Sequence, residues 1–132
     1  LSHEVPETGV QALKKDQNEV VLLDARSRKE YEVSHLKNAR FAGYDEFETE
    51  QVKDIPKDRK IVVYCSVGYR SEKVVKKMIK SGYSNVYNLY GGIFEWKNQG
   101  NPVYKDNKET SMIHAYNREW GIWLENGEKV FD

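Results

Sequence analysis

A chain of 132 residues has the length of one domain and can bury about two thirds of its unfolded surface around one core. Its 21 basic and 21 acidic side chains cancel, which argues against a general nucleic-acid or anionic-membrane binder. No apolar run reaches the length of a membrane span, and a single cysteine excludes an intrachain disulfide and any cysteine-based metal site.

In chain order, Leu1 to Val5 is expected as a short first strand and Glu7 to Lys15 as a helix with Val10 and Leu13 inward. Val20-Val21-Leu22-Leu23 is a continuous apolar run of strand length, the pattern of a strand covered on both faces, and it ends at Asp24. Ser27-Arg28-Lys29-Glu30 reads as a capping box opening a short helix that runs through about Ser34. Ala39 to Ala42 follows as a parallel strand, Asp45 to Lys53 as a short helix, and Pro56 with Asp58 as a turn before the strand Ile61 to Tyr64. The next helix carries Val74, Val75, Met78 and Ile79 on one stripe, turns its lysines away, and stops at Gly82. Val86 to Tyr90 is a strand, Gly91-Gly92 a turn, and Ile93 to Gln99 a helix ended by Gly100 and Pro102. Strand and helix alternate throughout. That order calls for an α/β fold of three layers, with a central parallel sheet of four to five strands between helices. Ligands of such sheets bind beyond the carboxyl ends of the strands, where Asp24, Gly43, Cys65 and Gly91 all fall.

Cys65-Ser66-Val67-Gly68-Tyr69-Arg70-Ser71 lies where a strand gives way to a helix. A lone cysteine at a strand end is most often a small buried hydrophobe. Here, however, it faces backbone N–H groups without intrahelical partners at a helix N-terminus, with Arg70 at the rim, and both features favour a thiolate.

Leu23-Asp24-Ala25-Arg26, then Glu30-Tyr31, then His35-Leu36-Lys37-Asn38-Ala39, resembles the pattern D-x-R near E-[FY] and G-H-[IL]-x-x-A of rhodanese domains, with Ser34 in place of the usual Gly. Cys65 to Ser71 is similar to the family's C-x-x-G-x-R-S active loop, and Gly91-Gly92 with Trp96, Gly100 and Pro102 to its closing motif. The likeness spans roughly residues 2 to 103, so residues 1–103 are expected as the rhodanese domain and residues 104–132 as a C-terminal extension packed on it.

The resemblance implies a sulfurtransferase. A sulfane sulfur would pass from thiosulfate or a similar small sulfur anion to Cys65 as a persulfide, and then to cyanide, a thiol or a protein acceptor. Ser66, Val67, Gly68, Tyr69, Arg70 and Ser71 would bind the substrate, and no metal or organic cofactor is called for. Asp24, with Arg26 and Glu30 as a pair, and His35 would give structural support. The alternative is a persulfide carrier or binding module that works with a dedicated protein partner. Related phosphatases and arsenate reductases have a longer loop between Cys and Arg, whereas four residues, Ser66 to Tyr69, stand there here. The shorter ring of amides suits one sulfur atom better than a phosphoryl group.

Tyr104 to Thr110 is expected as a polar surface loop, and Tyr116 to Glu125 as a terminal helix stopped by Asn126-Gly127. Its large apolar groups either dock on the domain or serve to shape the pocket mouth or join a partner subunit. The chain starts at Leu1 instead of Met, so removal of an upstream segment is considered and the compartment stays open: cytoplasmic by default, periplasmic if a signal peptide preceded Leu1.

Overall fold

Two short runs, Val21–Asp24 and Ile61–Tyr64, offer almost no polar face to water, and the chain resolves this by covering them on both sides. The structure, a computed structural model, describes residues 4–131, with the backbone alone at 118 and 119. Its elements begin with β1 (Glu7–Thr8), α1 (Val10–Asp16), β2 (Val21–Asp24), α2 (Arg28–Val33) and β3 (Arg40–Phe41). Next come β4 (Ile61–Tyr64), α3 (Tyr69–Lys80), β5 (Val86–Leu89) and α4 (Gly92–Asn98).

These five strands form one parallel sheet in the order β1-β5-β4-β2-β3. Leu22, Val62 and Tyr64 turn to a layer that holds Val10 and Leu13 of α1 with Ile93 and Trp96 of α4. Leu23, Ile61 and Val63 turn to the opposite layer, where α3 supplies Val74, Val75 and Met78. The three-layer α/β/α fold is thus the one that the alternating sequence pattern demands, with five strands in the sheet.

Several elements differ from the sequence expectation. The first strand is Glu7–Thr8, and the helix starts at Val10. The expected strand at Leu1 to Val5 lies partly outside the described residues, and Val5 is buried without being a strand. Two residues suffice for β1 because Pro6 and Thr8 carbonyls accept from the amides of Asn88 and Tyr90 on the sheet edge. The expected helix Asp45 to Lys53 reduces to one 3-10 turn, Thr49–Val52. Phe47, Val52 and Ile55 are all buried, a spacing that fits a winding segment rather than one helix face. Ile79 is exposed, since the buried stripe of α3 runs through Ser71, Val74, Val75 and Met78 and leaves Ile79 at its edge.

The chain after Val103 is more ordered than a polar loop and a helix. β6 (Val103–Lys105) and β7 (Lys108–Thr110) form an antiparallel hairpin across Asp106-Asn107, both at positive φ, the geometry of a tight two-residue turn. β8 (Met112–His114) then pairs in parallel with β9 (Glu128–Val130). Between them the helix is only α5 (Arg118–Gly121), its start capped by the Asn117 side chain accepting from the Trp120 amide. Ile113 and Leu124 enter the core cluster of Phe94 and Trp96, whereas Ile122 and Trp123 face solvent.

Candidate active site

The strand β4 delivers Cys65 to the start of α3, and Gly68 makes the turn possible. Gly68 is the N-cap at φ +119°, ψ −10°, a conformation that costs a side-chain-bearing residue steric strain. This curl points the Gly68 N–H at the Cys65 Sγ, 3.0 Å away. The first-turn amides of α3 also lack intrahelical partners and face the loop end with the positive pole of the helix. The thiol is free of any disulfide and fully buried.

A second set of bonds closes under the sulfur. Ser71 Oγ lies 3.3 Å from Sγ, 3.2 Å from the Gly68 carbonyl oxygen and 2.5 Å from Asn88 Oδ1. Asn88 comes from the middle of β5 and is buried, and its Nδ2 donates to the Gly68 carbonyl at 3.1 Å. Sequence reading passed over Asn88. The available signal was a polar residue inside the apolar run Val86-Tyr87-Asn88-Leu89, where a buried amide needs partners for both of its ends.

Glu30 is the hub on the other flank. As the third residue of α2 it completes the expected capping box with Ser27. The same carboxylate receives Arg70 Nη1 at 2.7 Å and Nη2 at 2.9 Å, and Ser66 Oγ at 3.1 Å. Burial pushes the Glu30 carboxyl up, but the hydrogen bonds and charge of Arg70, with the charge of Arg26 and the Ser27 amide, hold it down at about 2. Burial likewise works against the Arg70 charge, yet Glu30 and the nearby Cys65 keep it above the ordinary arginine range. Arg70 is therefore not a free rim charge. Its two terminal nitrogens are engaged by Glu30, and the Tyr116 ring lies 4.6 Å from its Cζ.

Arg26 does not pair directly with Glu30 as the sequence reading grouped them. It turns back on Asp24, donating from Nε at 3.0 Å and Nη2 at 2.7 Å, and Nη2 also reaches the Ser34 carbonyl. His35 stands apart from the loop. It stacks on Tyr31 with ring centroids 4.3 Å apart and lines a cavity of about 330 Å³ with Glu32, Lys105 and Asp106.

The two glycines after β5 differ in importance. A Cβ on Gly92 would collide with the carbonyl oxygens of Cys65 and Ser66. The space is needed because the amides of Ile93 and Phe94 at the start of α4 donate to those two carbonyls, at 2.9 and 3.1 Å. Gly92 is thus a close-approach residue behind the cysteine. On the outer side Tyr69 is exposed and contacts Trp120, which also packs at a tilt against Tyr116, so the C-terminal segment borders the loop. Of the four strand-end residues expected in one crevice, Gly43 lines a cleft of about 510 Å³ with Arg26, Ser27, Tyr44 and Arg70, whereas Asp24, Cys65 and Gly91 do not line it and Cys65 is fully buried. Among the described residues no group of three or more His, Cys, Asp or Glu could hold a metal ion, and no helix is long and apolar enough to cross a membrane.

Comparison with known proteins agrees with this architecture. A tRNA uridine(34) hydroxylase of Erwinia tasmaniensis is 40% identical over 97 residues, covering 67% of this chain and 28% of that protein. One from Pectobacterium carotovorum is 37% identical over 89 residues, covering 64% and 25%. The chain thus spans about a quarter of the length of the curated relatives it matches. Among solved structures, a rhodanese-related protein of Thermoplasma volcanium superposes with a TM-score of 0.68 at 26% identity, covering 75% of this chain and 97% of that one. The solution structure of a rhodanese-like domain from Anabaena gives 0.70 at 23% identity, covering 85% and 89%, a likeness of fold. The Rhodanese-like domain model matches residues 8–99, a stretch that runs from the first strand through α4 and holds the whole cysteine loop, so the chain belongs to the rhodanese-like domain family.

Proposed function

We propose that the chain is a sulfurtransferase in which Cys65 carries the sulfur. The observation that supports this best is the Gly68 N–H directed at Sγ from the start of a twelve-residue helix, in a loop with four residues between Cys65 and Arg70. In the first half-reaction the Cys65 thiolate attacks the sulfane sulfur of thiosulfate or a similar donor. A Cys–S–S bond forms, the donor S–S bond breaks, and sulfite departs with the bonding pair. In the second, cyanide, a thiol or a protein cysteine attacks the outer sulfur, and the thiolate is restored.

Phosphoryl transfer is less well supported. An arginine that must clamp the transferred group is needed there, whereas Arg70 Nη1 and Nη2 are taken up by Glu30. The same observation favours the second reading, a carrier that takes persulfide sulfur from a protein partner. With Arg70 neutralised, a dianionic donor meets helix amides and no uncompensated arginine. The hydroxylase name of the relatives belongs to proteins of which the matched stretch is about a quarter. The cysteine loop lies within the matched family segment, and its geometry is what puts sulfur transfer first.

The test is intact mass after incubation with excess thiosulfate, with and without cyanide, beside Cys65→Ser. A gain of one sulfur that cyanide removes, absent from the variant, is the expected outcome. No gain on a free thiol overturns thiosulfate as donor; loading by a protein persulfide then supports the carrier reading, and no loading by either ends both.

A further inference from the structure

Asn88 is fully buried, and both ends of its amide face the cysteine loop. Hydrogen-bond chemistry fixes which end goes where. The Gly68 carbonyl can only accept, so the amide must present its Nδ2 hydrogens there. Its oxygen is thereby left facing Ser71 Oγ at 2.5 Å, and an amide oxygen can only accept as well. A hydroxyl has one proton. Ser71 directs it to Asn88, the shortest of its three contacts, and turns lone pairs towards Sγ at 3.3 Å.

Resting on the reading of Cys65 as the sulfur carrier, we propose that Asn88 is a positioning residue. It fixes the direction of the Ser71 proton, so that Ser71 accepts from the Cys65 thiol instead of donating to it. The sulfur then has one donor, the Gly68 N–H, and one acceptor, Ser71 Oγ, which is the complement of an S–H group. A bare thiolate is acceptor only and faces the Ser71 lone pairs. To satisfy it the hydroxyl would have to turn, leaving the buried Oδ1 of Asn88 without a donor, a costly exchange. In the persulfide the inner sulfur has neither proton nor full charge, so the conflict disappears. The array thus favours the thiol and the persulfide over the free thiolate.

Of the charged groups on the elements around the loop, Arg70 on α3 interacts with Cys65. The others are Glu72 on α3, Glu30 on α2, the Asp24–Arg26 pair at the end of β2 and Glu95 on α4, with Lys76 3.8 Å from Glu72. The variants that test the proposal leave all of them in place.

The experiment is the pH titration of the Cys65 13Cβ chemical shift in the full chain, which has one cysteine and gives one signal. The variants are Ser71→Ala, Asn88→Ala and the double substitution. Ser71→Ala removes the acceptor of the thiol proton and is expected to lower the midpoint by about 0.5 to 1 pH unit. Asn88→Ala frees the Ser71 proton to turn to sulfur and also lowers it, while added on top of Ser71→Ala it changes nearly nothing. A raised midpoint in Ser71→Ala overturns the proposal, because Ser71 would then be donating to the thiolate. An equal shift from Asn88→Ala with and without Ser71 overturns it too, since Asn88 would not be acting through the hydroxyl. Should Asn88→Ala fail to fold, the sign in Ser71→Ala alone decides. These midpoints need no sulfur donor, so failed loading of the wild type by thiosulfate or a protein persulfide counts against sulfur transfer and not against this array.

Discussion

Arg26 and Arg70 make the same kind of contact, a guanidinium on a carboxylate, in two parts of the molecule with different consequences. Arg26 reaches back two residues to Asp24, both side chains are fully buried, and the pair finishes a turn at the end of β2. Arg70 reaches across 40 residues to Glu30 and remains slightly exposed, tying the start of α3 to the start of α2 across Ser66. The first pair is closed and local. The second lies beside the sulfur and is also touched by Tyr116 from the C-terminal segment. Burial and span, not the residue types, separate a scaffold contact from one that can tune a site. A third such contact, Arg40 on Asp54, has similar distances on the exposed surface.

This contrast breaks most visibly at Arg26. Arg26→Met leaves the Asp24 carboxylate buried without its partner and should cost about 3 to 5 kcal/mol in urea unfolding. A wild-type midpoint would mean that the pair is not a scaffold element. Glu30 comes next. Its carboxyl titrates near 2 in the folded chain instead of 4.5, so the stabilisation is complete above about pH 4.5 and is lost as pH falls towards 2. It amounts to about 3 kcal/mol, and Glu30→Gln should flatten the acid limb of the stability profile by that much while leaving a weaker bond to Arg70. An unchanged acid limb would move the responsible group elsewhere. Tyr116→Asn removes the ring over Arg70 but keeps a residue suited to the positive φ of 69°, and should lower stability by about 1 kcal/mol or less. Asp54→Ala should be the smallest, with a midpoint indistinguishable from wild type at high salt, because solvent already screens that pair.

The sequence is informative where local chemistry and burial agree. Val21 to Asp24 and Ile61 to Tyr64 could hardly be anything but buried strands, and Ser27 with Glu30 forms the capping box read from spacing alone. The cysteine loop at the start of α3 is likewise where its residues placed it. What spacing could not give is the partner of Arg70, since the choice between Asp24 and Glu30 depends on how two distant turns meet. Asn88 escaped because its role exists only once β5 lies beside β4 under the loop. The hairpin at Asp106-Asn107 did leave a signal, two residues tolerant of positive φ between short β-compatible stretches, but its charged strands hid it. The expected helix at Tyr116 to Glu125 shrank because the segment has to rise again into β9, pairing alongside β8.

The bonds from the Ile93 and Phe94 amides to the Cys65 and Ser66 carbonyls give these two protons a further use. They exchange with solvent only when the rear wall of the loop parts from α4, so their deuterium uptake is a clock for that motion, independent of any substrate. Comparing the clock in the free and sulfur-loaded protein would tell whether the loop holds its sulfur by standing still or by opening and closing around it.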